Sequence, residues 1–412
     1  MVFLVFYMAL NTELFMLNLP PSSIRPSDLN LLLIFILLPI ARNRYKYLDS
    51  NDISKWIKII LIFYCFEFIL TMILGAEDFL YGLKVIRIPL TLISFYVLRV
   101  IPFKDIKKFL TLGYIILIIQ GVLYYLQFIG IHLLAGFNST SVERYGLAFA
   151  LNSPTFLYLY IFYVLADNDL SSRQKYLLFL FLIGIVLLRY VRAGIFALAI
   201  STVLYLVISK KSKETIIIGV IMALLSPIIL NTLSSKESLG GKSSSGDLQN
   251  IIENIGSPTS IDPLAGSMSF RISMLIERGF YLLDNPQYSL FGVGTIHEDS
   301  PNCYKRFDFS IGTRNERKQG GKCMIESGDI TWVPILLRYG FVGTLFHISL
   351  FFILFFNSYK RKDKFVFIAP LALYLLLSSF DGPLFDNADR LYFLSIVLLI
   401  TYKVNSISFN LS

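Results

Sequence analysis

The sequence predicts an all-α polytopic membrane protein of about twelve transmembrane helices (range about ten to fourteen), with one large polar loop on the outer side. Three observations predict it. Hydrophobic residues make up 55% of the chain, with a mean hydropathy of +0.65, whereas soluble domains are roughly 45–50% apolar. The excess comes in unbroken blocks of about 14–24 residues, close to the roughly 20 helical residues that cross a 30 Å hydrocarbon core. Continuous blocks, without period-two alternation, also exclude a membrane β-barrel. The third observation is charge placement, taken up below.

In chain order the expected helices are 2–19, 29–41, 56–75, 79–98, 109–129, 145–166, 177–191, 193–209, 215–232, 331–356, 365–380 and 390–403. Met1–Leu19 has no basic leader, contains Glu13 and offers no small-residue cleavage site. It is therefore expected to be a retained helix and not a signal peptide. The chain divides into helices 1–232, a loop 233–330, and helices with a short tail 331–412.

The formal net charge of +9 could suggest nucleic acid, but its distribution does not. Arg42, Arg44, Lys46, Lys55, Lys58, Arg99, Lys104, Lys107, Lys108, Arg173, Lys175, Lys210, Lys211, Lys213, Lys360, Arg361, Lys362, Lys364 and Lys403 fall in alternate links. The short links between them carry only Arg25, Arg144, Arg189 and Arg192, with Arg390 at a boundary. This bias predicts both termini in the cytoplasm and an even helix count. The loop 233–330 then lies outside. Its start, SSKESLGGKSSSGD at 234–247, reads as a flexible linker. Residues 268–284 read as an amphipathic helix, with Ile272, Leu275, Ile276, Phe280 and Leu283 at helical spacing and Asn285-Pro286 ending it.

Cys303 and Cys323 both fall in this loop, where an oxidising compartment would permit a bridge around the basic segment Lys305–Lys322. Two free thiols are the alternative. Cys65, inside a helix, reads as a small buried hydrophobe. The histidines His132, His297 and His347 are far apart and predict no metal site. His297 follows a glycine-rich turn and is either a substrate contact or an ordinary loop residue.

Charges near the membrane are costly and usually functional. Lys84 and Arg87 share a helix face near its outer end, and Arg189 and Arg192 repeat that spacing. Arg144 stands at another outer helix start, and Arg271 and Arg278 share a face of the loop helix. Arg338 lies inside the helix that follows the loop. Cations gathered at one depth suit a phosphate-bearing lipid headgroup, since the guanidinium fork matches phosphate oxygens. They could instead pair with Glu67, Glu77, Asp78 and lipid phosphates, or snorkel.

Three segments carry a resemblance: RYVRAG at 189–194, FRISMLIERGFYLLDNPQYSLFGVG at 270–294, and ESGDITWVPILLRYGFVG at 326–343. With the many-helix layout and the late large loop, they resemble the O-antigen ligase/polymerase superfamily of bacterial envelopes. The family pattern of an arginine, a short helix, a proline and a Gly-x-Gly turn is matched by Arg271, Pro286, Gly292 and Gly294, and Arg192 matches an arginine that opens a helix. Ligases carry a His-Asn pair where this chain has Asp329 and Ile330. That departure favours a polymerase.

The resemblance implies a metal-independent glycosyltransferase, without cofactor, in the bacterial inner membrane. It would polymerise undecaprenyl-diphosphate-linked oligosaccharide repeat units on the periplasmic side, using them as both donor and acceptor. Membrane lipids surround it, and a chain-length regulator and a flippase are implied associates. A ligase transferring glycan to lipid A core, or a polysaccharide flippase, are the alternatives. Asp329 and Glu326, with Arg192 and Arg271, are the expected catalytic residues. Arg278, Arg189, Arg144, Arg87, Lys84, Arg338 and His297 are the expected diphosphate and substrate contacts. The two acids could equally cap the helix they open.

Overall fold

The computed structural model describes residues 26–45, 51–131, 142–144, 147–149, 156–167, 169–188, 192–209, 219, 250–254, 261–262, 267–311, 323–325, 330–359, 366–382, 384–385 and 388–407. Within them the chain is almost wholly helical. The helices are α1 (Pro26–Tyr45), α2 (Asp52–Ile73), α3 (Phe79–Leu90), α4 (Ser94–Leu98), α5 (Phe103–Phe128), α6 (Leu157–Ala166), α7 (Ser172–Leu188) and α8 (Arg192–Ser209). In the loop region come α9 (Ser267–Asp284), α10 (Pro286–Ser289) and α11 (Pro301–Arg306). Last come α12 (Trp332–Tyr359), α13 (Ile368–Ser378) and α14 (Ala388–Ile407).

Among the described residues, four helices are long and apolar enough to cross a membrane: Asp52–Ile73, Phe79–Leu98, Phe103–Gln127 and Trp332–Tyr359. Asn30–Arg42, Leu157–Ala166, Gly194–Ser209 and Ile368–Ser378 are shorter apolar helices. The span Phe79–Leu98 joins α3 to α4 through a 3-10 turn at Thr91–Ile93. Pro89 sits just before that turn. A proline removes one backbone donor and crowds the carbonyl four residues back, so the winding changes there. α2 begins at Asn51, whose side chain accepts from Ser54 N at 3.2 Å, an N-cap that answers one of the orphan amides.

α14 is the central post. From Leu391 to Tyr402 every residue is buried, as befits a helix apolar on all sides. It packs on α3, α4 and α12, while α13 fills the space between α8 and α12. Trp56 donates to Ser349 Oγ at 2.7 Å and ties α2 to α12. The start of α12 is fixed by Thr331, which donates to Gly382 O at 2.7 Å, and by Trp332, whose indole donates to Ser379 Oγ at 2.9 Å.

One helix expectation needs correction. The helix expected at 145–166 begins only at Leu157; Val142–Arg144 and Leu147–Phe149 instead pair antiparallel, with Val142 opposite Phe149. A hairpin satisfies backbone groups between neighbours in sequence, and the apolar run alone does not reveal that choice. The helix expected at 268–284 is present as α9. Its buried residues are Ser269, Ser273, Met274, Arg278 and Leu282. Of the apolar stripe read from the sequence, Ile272, Leu275 and Ile276 are partly buried, while Phe280 and Leu283 are exposed. Expected helix 2–19 and the linker 234–247 lie outside the described residues, as does nearly all of 215–232.

Candidate functional site

The segments 270–294 and 330–343 meet in space, and glycine is the reason they can. α12 is interrupted at Gly340, whose backbone (φ 61°, ψ −163°) is not helical. Such a break frees carbonyls before it and amides after it. The loop supplies the missing partners. Val293 N donates to Leu337 O at 2.9 Å, Gly294 N to Arg338 O at 3.0 Å, and Val342 N to Leu290 O at 3.0 Å. A Cβ on Gly292 would overlap the Arg338 carbonyl, and one on Gly340 would meet Leu290 O at 2.5 Å. Both glycines also hold positive φ, which side chains resist.

Beyond this turn, the loop is clamped to the C-terminal end of α2. Thr295 N donates to Thr71 Oγ1 at 3.0 Å. Glu77, buried in the turn between α2 and α3, accepts from His297 N at 2.9 Å, Asp78 N at 2.9 Å, Asn302 Nδ2 at 3.3 Å and the Ser300 hydroxyl. A carboxylate with so many donors is a strong anchor, because charge-assisted bonds exceed neutral ones.

Beside this junction lies a narrow cleft. It is lined by Tyr64 of α2, by Val85, Ile88 and Pro89 of α3, by Ile335, Arg338 and Tyr339 of α12, and by Phe385. Arg338 is buried, and its Nε donates to Ile296 O at 3.1 Å. Behind Tyr64, its hydroxyl meets His347 Nε2, while His347 Nδ1 lies 2.6 Å from Gly343 O. The carbonyl can only accept, so Nδ1 carries the proton and Nε2 accepts from the phenol. The cleft thus sets one buried guanidinium among aromatic and aliphatic side chains.

Near the turn between α2 and α3 stand some of the expected residues. Lys84 is exposed and its ammonium stands 4.8 Å from the Tyr81 ring centroid. Tyr81 in turn lies 5.7 Å from the imidazole of His297. His297 Nδ1 accepts from Asp299 N at 3.1 Å. Arg87 is half-buried in the last turn of α3, the helix that supplies Val85, Ile88 and Pro89 to the cleft.

α9 carries Arg271, half-buried, and Arg278, fully buried. Arg278 Nη2 donates to Ile311 O at 2.6 Å and Met324 O at 2.7 Å, Nη1 pairs with Glu277, and the guanidinium lies 4.2 Å from the Phe309 ring centroid. Desolvation lowers its pKa to about 10, with Glu277 and Glu298 acting the other way, so it stays charged at neutral pH. The sequence led to the expectation that Arg278 meets diphosphate; in this geometry its donors meet protein carbonyls and a carboxylate instead. Glu277 also accepts from Ser310 N at 2.7 Å. The pair therefore grips both chain segments that lead to the disulfide region. Cys303 and Cys323 are joined, with Cα atoms 5.6 Å apart. They sit in a second small core with Leu282, Phe307, Phe309, Met324, Ile325 and Leu337.

Asp329, Glu326 and Arg189 lie outside the described residues. Arg192 opens α8 and Arg144 ends a strand, and both side chains lie outside that description too. Glu67, expected to answer the basic groups, is buried in α2; among the described residues its Oε1 takes no hydrogen bond. No cluster of three or more His, Cys, Asp or Glu positioned to hold a metal ion occurs among the described residues. Sequence reasoning missed Tyr64, Thr71 and His347, and it treated Glu77 only as a charge partner. Glu77 did have a visible signal: an acid beside Gly75 in a short turn between two apolar blocks. No family model matches the chain, and no curated protein matches it.

Proposed function

We propose that this chain is an O-antigen polymerase, joining undecaprenyl-diphosphate-linked repeat units at the outer face of the bacterial inner membrane. The reading includes about twelve spans, both termini cytoplasmic, and the loop 233–330 in the periplasm. One observation carries it. The segment 270–294 and the described part of 326–343, residues 330–343, on which the family resemblance rests, interlock through Gly292, Gly294 and Gly340, beside a cleft lined by Arg338.

In this reading the acceptor sugar hydroxyl attacks the anomeric carbon of the donor glycan. The bond from that carbon to the phosphate oxygen breaks, and the lipid diphosphate leaves with the electron pair. Negative charge grows on the leaving oxygen, so fixed guanidinium groups stabilise the transition state more than the ground state. Arg338 at the cleft, Arg87 and Lys84 on α3, and Arg192 and Arg271 are the candidates. Asp329 or Glu326 takes the acceptor proton. Arg278 acts indirectly, by bracing the disulfide region.

The test is deletion of the gene followed by gel analysis of lipopolysaccharide. A core bearing a single repeat unit is the expected result. Bare core would overturn the proposal in favour of a ligase or a flippase, and an unchanged ladder would remove all three.

A further inference from the structure

An amphipathic helix in a folded protein turns its apolar stripe toward the core. α9 does so only in part. Its buried residues are Ser269, Ser273, Met274, Arg278 and Leu282. Of the stripe, Leu275 packs against both hydrophobic cores, Ile272 and Ile276 are half-buried, and Phe280 and Leu283 are 42% and 57% exposed. The exposure continues past α10, where Leu290 is 59% and Phe291 39% exposed. Single exposed apolar residues are ordinary, but a contiguous group marks a contact surface.

Its occupant is identified by what it adjoins. The Phe291 ring lies 6.1 Å from that of Phe66 on α2. Phe66 belongs to the outward face of that helix, with Ile69 and Ile73 also exposed. α2 has the length and composition of a membrane span, so this face is the one that meets acyl chains. Whatever covers Phe66 also covers Phe291. The rim agrees. The Arg306 guanidinium stands 5.6 Å from the Tyr288 ring centroid, and Lys305 is exposed beside it. Tyrosine and basic side chains at the edge of an apolar surface match the headgroup level of a bilayer.

We propose that the α9–α10 corner is seated in the adjoining membrane leaflet, with Phe280, Leu283, Leu290 and Phe291 among acyl chains and Lys305 and Arg306 at the lipid phosphates. The loop helix is then an interfacial element as well as a support for the loop, whatever reaction the chain performs. The test uses the full chain in vesicles of phosphatidylethanolamine and phosphatidylglycerol, with Cys65→Ala as background. Nitroxide labels are placed one at a time by Phe280→Cys, Leu283→Cys, Leu290→Cys and Phe291→Cys, and at the exposed polar positions by Asp284→Cys and Gln287→Cys. Collision with oxygen should exceed collision with a water-soluble nickel chelate at the four apolar positions and fall below it at the two polar ones. Nickel-dominated relaxation at all six would place the corner in water and overturn the proposal. Shielding from both agents at the apolar positions would overturn it too, in favour of a protein partner such as a second copy of the chain.

Discussion

At the scale of single residues, Glu77 and Arg338 divide the work of the outer end. Glu77 holds the loop through donors at His297, Ser300 and Asn302. Removing it leaves buried donors without an acceptor, so Glu77→Ala should lower stability by about 2–4 kcal/mol. Thermal unfolding in detergent measures the loss, and limited proteolysis near residues 295–302 should show the loop opening. Glu77→Gln keeps one acceptor oxygen and should cost about 1 kcal/mol. Arg338→Lys keeps a charge but loses the Nε donor to Ile296 O and the planar fork. If Arg338 meets the diphosphate, polymerisation in membranes should fall roughly 30- to 1000-fold, about 2–4 kcal/mol at the transition state. The loop should stay resistant to protease. Normal polymer from Arg338→Lys would restrict Arg338 to holding Ile296.

At the scale of elements, the junction between the Gly-x-Gly turn and broken α12 is the decisive contact. It can be separated from the general effect of losing a glycine. Gly130 also has positive φ (+80°), but a Cβ placed there would have open space for 4 Å around it. Gly130→Ala should therefore cost only the left-handed penalty, about 1–2 kcal/mol. Gly292→Ala combines a similar φ with overlap on the Arg338 backbone, and should cost about 3 kcal/mol or more because backbone cannot swing aside. Unfolding midpoints of the two variants give the comparison. Near-equal losses would mean that the turn is not tightly docked on α12. α9 adds a second lesson at this scale: its register is set by Arg278, whose guanidinium finds its partners on the inner side. Burying a charge without partners costs far more than exposing a leucine.

At the scale of the whole molecule, the basic links predict an orientation. Reporter fusions at residues 49, 170 and 362 should read cytoplasm, and one at 245 should read the outer side. A cytoplasmic result at 245 would invert the loop and end the polymerase reading, since lipid-linked repeat units are joined on the other face. The same molecule-wide view explains the position of the cleft. Its walls come from α2, α3, α12 and Phe385, elements far apart in sequence that α14 holds together from within.

The sequence alone determined what depends on composition along a short window. Unbroken apolar runs marked Asp52–Ile73, Phe79–Leu98 and Trp332–Tyr359 as helices of spanning length, because backbone groups in hydrocarbon must bond within their own segment. It also singled out Arg338, Gly292 and Gly294 as residues to watch, the glycines through a resemblance and not through geometry. Only the tertiary structure decided what depends on partners distant in the chain. The kink at Gly340 is stable because Leu290 and Val293 arrive from the loop. Glu77 becomes an anchor because residues more than 200 positions later bring it donors. The buried side of α9 follows Arg278, since carbonyls at Ile311 and Met324 satisfy a charge that hydrophobic periodicity would have left facing out. Local pattern records which surfaces avoid water; long-range hydrogen bonding selects which of them meets protein and which meets lipid.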